Sequence, residues 1–177
     1  MISRILVALA IALVILVIII ALRPADFRYS RSLTIAAPPA ALFEQVSDLH
    51  KFQTWNPWAK IDPQSKITFT GPASGLGAAY SWAGNNDVGE GTMTNIECRP
   101  SELLRFKMEF KKPMAGISTS EFTFKPVGDQ TLVTWSMFGA NGFAGKAFGL
   151  FVDCEKMIGD PFEKGLNNLA EAVRKPN

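Results

Sequence analysis

The sequence predicts an α+β domain behind a helix of membrane length, and three observations carry that expectation. Ile5 through Leu22 is an unbroken apolar run between Arg4 and Arg23. From residue 66 onward, short runs with period-two alternation are separated by turn-forming pairs. Near the C-terminus, apolar residues return at intervals of three and four, the spacing of a helix face.

At about 1.5 Å per residue, the first run makes roughly 27 Å of helix, close to the apolar thickness of a bilayer. A secretory signal is the competing reading. Its apolar core normally spans about 7–15 residues and ends at a small-x-small site. Here the run is longer and exits through Ala21-Leu22-Arg23-Pro24. Residues 1–23 are therefore expected to be an uncleaved anchor, in contact with the membrane through residues 5–22, and residues 24–177 one folded domain. Arg23, Arg28 and Arg31 on one flank against Arg4 on the other favour a cytoplasmic domain in a single-pass protein.

Charge and thiols exclude several classes of function. The chain carries 18 Lys and Arg against 16 Asp and Glu, and the excess is supplied by the two arginines that bound the apolar run. The remainder is neutral and offers no basic footprint for nucleic acid. Cys98 and Cys154 stand far apart with no CxxC pair, and His50 is the sole histidine. That spacing supports neither a zinc site nor a redox pair, so no metal and no cofactor are expected. The two cysteines read as small buried apolar side chains.

Phe27, Tyr29, Leu33 and Ile35 fall on one parity and Ser30, Ser32 and Thr34 on the other, which predicts a strand. Ala37-Pro38-Pro39 ends it and suits a helix start, because proline is tolerated in a first turn. The helix that follows places Leu42, Phe43, Val46 and Leu49 towards the core. Asn56-Pro57, between Trp55 and Trp58, blocks a regular helix and predicts a short helix or wide turn. Beyond it, turn signals such as Gly71-Pro72, Gly84-Asn85-Asn86-Asp87 and Gly128-Asp129 separate strands at 66–70, 78–83, 90–97, 102–111, 117–125 and 131–138. Seven strands, mostly joined by tight turns, predict an antiparallel sheet. Phe151, Cys154, Ile158, Phe162, Leu166, Leu169 and Val173 then predict a helix lying on it. Pro161 lacks an amide donor and would clash with the carbonyl of Met157. Asp160-Pro161-Phe162-Glu163 has the composition of a cap, a first-turn proline and an acid, so a break or kink is expected there.

Several phrases extend the pattern: Ile35-Ala36-Ala37-Pro38-Pro39 leading to Phe43, Trp55-Asn56-Pro57-Trp58, Tyr80-Ser81-Trp82-Ala83-Gly84-Asn85, Val88-Gly89-Glu90-Gly91, Thr134-Trp135 and Phe162-Glu163-Lys164-Gly165-Leu166. In these phrases, which cover nearly everything after residue 27, the chain resembles the START-like helix-grip (SRPBCC) superfamily, in its polyketide cyclase/dehydrase-like branch. The resemblance implies a helix-grip fold: a curved seven-stranded antiparallel sheet wrapped around a long C-terminal helix, with two small helices after strand 1. It also implies an enclosed cavity, since members bind lipids, sterols, polyketides and other apolar molecules. Pro161 departs from the acid-rich phrase expected before Phe162.

Ligand pockets are concave and mostly apolar. The candidate lining residues are Trp55, Trp58, Tyr80, Trp82, Met93 and Phe106, together with Met108, Phe122, Trp135, Met137, Phe148 and Met157. Trp55 and Trp58 lead this set, because two large rings on an irregular segment suit a cover over something. The methionines would let a pocket adapt to its contents. For acid-base chemistry the candidates are Tyr80, Glu90 and His50, with Asp48 two positions from the histidine. A surface histidine and a hairpin-edge glutamate are the simpler readings. Gly75-Leu76-Gly77 precedes a strand rather than a helix and reads as a turn, not a phosphate loop.

The leading expectation is thus a membrane-anchored binding protein for a lipid or other hydrophobic small molecule. A cyclase or dehydratase acting in the same cavity is an alternative, and it requires Tyr80, Glu90 and His50 to converge. A non-catalytic protein-interaction adaptor is a third, and it requires exposed apolar patches outside any cavity.

Overall fold

The computed structural model describes residues 2–174. The expected domain end at residue 177 lies outside the described residues. Helix α1 spans Ile2–Leu22 and is long and apolar enough to cross a membrane. Strand β1 (Asp26–Ile35) leads to α2 (Pro39–Ser47), α3 (Leu49–Trp55) and a 3-10 turn at Pro57–Lys60. Strands β2 (Lys66–Thr70), β3 (Ala79–Ala83), β4 (Glu90–Arg99), β5 (Leu103–Lys112), β6 (Gly116–Val127) and β7 (Gln130–Ala140) follow, then α4 (Phe143–Phe148) and α5 (Cys154–Arg174).

The seven strands form one antiparallel sheet in the order β1-β7-β6-β5-β4-β3-β2. The period-two alternation settles which face is concave. Leu104 and Phe106 on β5, Phe122 and Phe124 on β6, and Val133 and Trp135 on β7 are all buried on the inner face. α5 lies against that face through Phe162, Leu166 and Leu169, each at most 2% exposed.

Local chemistry sets the helix boundaries after β1. Pro39 occupies the first turn of α2, where a missing amide costs nothing. The Asp48 side chain caps α3, accepting from the amides of His50 at 2.9 Å and Lys51 at 3.2 Å. Asn56 ends α3 and its side chain accepts from Trp58 N, so the Asn56-Pro57 step converts the helix into the 3-10 turn.

Of the break or kink expected at Pro161, the break does not occur. α5 starts seven residues earlier and runs through the proline to Arg174. Its cap is Asp153 rather than Asp160: the Asp153 carboxylate accepts from Lys156 N at 3.0 Å and its carbonyl from Met157 N at 2.9 Å. An interior proline costs about 3 kcal/mol. Burying Phe162, Leu166 and Leu169 returns about 1.5–3 kcal/mol each, so packing on the sheet outweighs the lost bond. Phe151, assigned to this helix face by spacing, lies ahead of the helix and is exposed.

α4 had no counterpart among the expected elements. It packs beside the end of α1. Lys146 Nζ donates to the carbonyl of Ala21 at 3.3 Å, and Arg23 Nη1 donates to the carbonyl of Gly149 at 3.1 Å. Each helix C-terminus therefore receives a cation from the other segment, which complements the helix dipole.

Candidate functional site

A cavity of about 150 Å³ lies between the concave face of the sheet, α3 with the 3-10 turn, and the first half of α5. Its wall on the sheet is made by Tyr80 and Trp82 of β3, Met93 of β4, Met108 and Phe110 of β5, and Trp135 and Met137 of β7. Phe52 and Trp58 close the side of the small helices, and Ile158 and Phe162 the side of α5.

Two close approaches fix the tryptophans. A Cβ on Gly165 would stand 2.5 Å from the Trp135 ring, and a Cβ on Gly91 would stand 2.4 Å from the Trp82 ring. Only glycine lets α5 and β4 come that near. Trp135 is stacked between Phe162, centroids 4.2 Å apart, and Phe122, at 4.6 Å. Its indole Nε1 donates to Ser120 Oγ at 2.9 Å within the buried layer. Trp82 Nε1 donates to the carbonyl of Val88 at 3.2 Å. Both indole donors are satisfied, so the rings present hydrocarbon to the cavity.

The polar groups in the wall are few and neutral. Burial raises the Tyr80 phenol well above its ordinary range, and the neighbouring Gln53 side chain opposes that in part. Tyr80 is therefore a hydrogen-bond donor at any physiological pH. Ser65 Oγ is buried with no hydrogen-bond partner among the described residues, and Gln53 Nε2, beside the Tyr80 phenol, makes no hydrogen bond of good geometry there; both residues line the cavity. Buried polar atoms are normally paired. Among the described residues, no Asp, Glu, Lys, Arg or His side chain is part of the wall.

Seven of the residues expected at a ligand site border this space: Trp58, Tyr80, Trp82, Met93, Met108, Trp135 and Met137. The other five stand elsewhere. Trp55 faces the core beneath α2, with Nε1 donating to the Gln45 carbonyl at 3.0 Å, so of the two loop tryptophans Trp58 alone reaches the cavity. Phe106 and Phe122 are fully buried in the layer behind the wall. Phe148, at the end of α4, and Met157, on the solvent side of the first turn of α5, are exposed.

The acid-base candidates do not converge. Tyr80 is in the cavity. Glu90 begins β4 and pairs with Lys112 at 2.6 Å. His50 lies on the exposed side of α3, stacked on Phe69 with centroids 3.9 Å apart, and Asp48 is occupied as a helix cap. Among the described residues no three His, Cys, Asp or Glu side chains gather as a metal site.

Sequence reasoning missed Gln53, Ser65 and Ser120. Gln53 lies in α3, a helix of seven residues that is too short to show a clear periodic face, and Ser65 lies in the irregular link just ahead of β2. Ser120 shares its parity with Phe122 and Phe124, which was a usable sign that this serine points inward.

The profile of the family described as "Polyketide cyclase / dehydrase and lipid transport" matches residues 26–174. Solved structures with the same fold include a Thermobifida fusca protein, 25% identical, with a TM-score of 0.61 over 82% of this chain and 92% of that one. The Zhui aromatase/cyclase of a Streptomyces species is 14% identical, with a TM-score of 0.56 over 84% and 94% of the two chains. The Aha1 dimer from Colwellia psychrerythraea is also 14% identical, with a TM-score of 0.58 over 83% and 96%. No curated protein matches this chain. The profile match spans everything described beyond α1 and its short link, and the chain belongs to the polyketide cyclase/dehydrase and lipid transport family of the START-like helix-grip superfamily.

Proposed function

We propose that this protein is a membrane-anchored binding module for a small, neutral, apolar molecule, or for the neutral apolar end of a larger lipid, with residues 1–23 as the anchor and residues 24–177 as the binding domain. The observation that carries the reading is the composition of the cavity wall: aromatic and methionine side chains, the neutral polar atoms of Gln53 and Ser65, and no charge. An ionised ligand group there would be desolvated without a counter-charge, which is strongly unfavourable. A ligand with one carbonyl or hydroxyl would instead be met by Gln53, Ser65 and Tyr80.

Volume narrows the class. Small-molecule sites usually span about 300–1,000 Å³, whereas an apolar cavity near 150 Å³ is matched to a molecule about the size of benzene. Met93, Met108 and Met137 give the wall room to repack around something longer. A cyclase or dehydratase would need acid and base groups around one substrate, and Tyr80 is the one such candidate in the wall. The geometry therefore favours binding over catalysis.

The test is a fluorescence titration of the full chain in nanodiscs, following the cavity tryptophans, with cyclohexanol and with ionised cyclohexanecarboxylate at pH 8. The reading expects a saturable change with the alcohol and at least about tenfold weaker binding of the carboxylate, the equivalent of 1.4 kcal/mol. Equal or tighter binding of the carboxylate would refute it.

A further inference from the structure

We propose that α4 and the turn after it form a second membrane contact, an interfacial element that lies on the bilayer beside the anchor and holds the cavity end of the sheet against the lipid. The proposal rests on the reading of α1 as a membrane span.

The register of the sheet supplies the first part of the argument. β1 begins at Asp26, four residues after α1 ends, and Asp26 pairs with Ala140 at the end of β7. Going across the sheet, the same end holds Gly116, Lys112, Glu90 and Ala83. This is the end at which the chain leaves the membrane. It is also the end with the cavity: Trp82, Phe110 and Met137 lie within three residues of their strands' ends on that side.

α4 is fixed at the same level. Its Lys146 reaches the Ala21 carbonyl and Arg23 reaches its Gly149, while Ile20 near the end of α1 is buried although the rest of that helix is exposed. Ile20 lies two residues, or about 3 Å of rise, inside the end of α1. A segment docked there is at the depth where apolar thickness gives way to headgroups.

The side chains of the segment fit that depth. Phe143, Phe148 and Phe151 are 53%, 41% and 81% exposed, at three positions within nine residues, and Lys146 sits among them. Exposed aromatics grouped with a lysine beside a hydrophobic span match an interfacial segment, whose apolar side enters the headgroup boundary by about 5–10 Å. In water the same three rings would be an unexplained apolar patch. The occupant is therefore the bilayer surface, and the consequence is a short route between lipid and cavity.

Spin labels on the full chain in liposomes test this, with Cys98 and Cys154 replaced by serine and folding verified by circular dichroism. Labels are placed singly at Phe151→Cys, at Leu13→Cys in mid-anchor and at Glu102→Cys in the hairpin at the far end of the sheet. The expected result is that collisions with oxygen dominate at positions 151 and 13, and collisions with a water-soluble nickel chelate dominate at 102. A label at 13 in lipid with one at 151 exposed to nickel overturns this proposal and leaves the anchor standing. A label at 151 shielded from both reagents assigns the patch to a protein contact and also overturns it. A label at 13 exposed to nickel removes the anchor reading, and the proposal with it.

Discussion

The indole nitrogen of Trp135 donates to Ser120 Oγ at 2.9 Å in a layer where both residues are at most 5% exposed. That bond ties the Trp135 indole of the cavity wall to β6, where the ring also stacks on Phe122, and leaves the serine proton free to be donated elsewhere. Ser120→Ala keeps the shape but strands a buried indole N–H, which costs about 1–3 kcal/mol. Urea denaturation should show that loss.

Gly165 is, with Phe162, a point at which α5 touches Trp135. Gly165→Ala forces either the helix or the ring to move, and overpacking of this kind costs about 1–3 kcal/mol. A Cβ on Gly116, at the start of β6, meets nothing within 4 Å, so Gly116→Ala is the sterically unobstructed control. Thermal denaturation should separate the two variants by several degrees, with Gly165→Ala the lower.

Tyr80 gives a pH signature. Its phenol ionises at a higher pH when buried than in the unfolded chain. The folded state therefore holds its proton where the unfolded state has released it. The associated stability is complete below about pH 10, the unfolded value, and is lost as pH rises beyond that towards the folded value. Urea midpoints measured from pH 8 to pH 11.5 should fall more steeply above pH 10 for the wild type than for Tyr80→Phe.

Pro161 tests the energetics of the gripping helix. Because α5 is continuous through it, Pro161→Ala restores one backbone donor to an existing helix and should stabilise the protein by about 1–3 kcal/mol. A change in that direction in chemical denaturation would show that packing, not local preference, keeps the wild-type helix whole.

The contrast between Pro161 and Asn56-Pro57 explains what the sequence made legible. At Asn56-Pro57 the local signal and the tertiary structure agree, and the helix ends where expected. At Pro161 the same residue type is overridden by Phe162, Leu166 and Leu169, whose burial against the sheet is a long-range fact. The sheet was readable because period-two runs such as Leu104, Phe106, Met108 and Phe110 report their own faces. The cavity was readable only in part, since periodicity separates inside from outside but not wall from filler. Phe106 and Met108 share a face of β5, yet one is core and the other borders the cavity, and alternation along the strand carries no sign of that difference. Trp55 and Trp58 divide in the same way across Asn56-Pro57. Gln53 and Ser65 had no signal, because a polar side chain that faces the interior is visible only once its neighbours are placed.

Native mass spectrometry of the detergent-extracted full chain tests the binding claim most directly, with Met137→Trp measured beside the wild type. Met137 lines the cavity and is half-buried, so a larger ring there fills the space while the fold is retained, as circular dichroism would verify. The account predicts a bound neutral apolar molecule on the wild type that is lost from Met137→Trp. An equal adduct on both proteins, or no small-molecule adduct on the wild type, would contradict it.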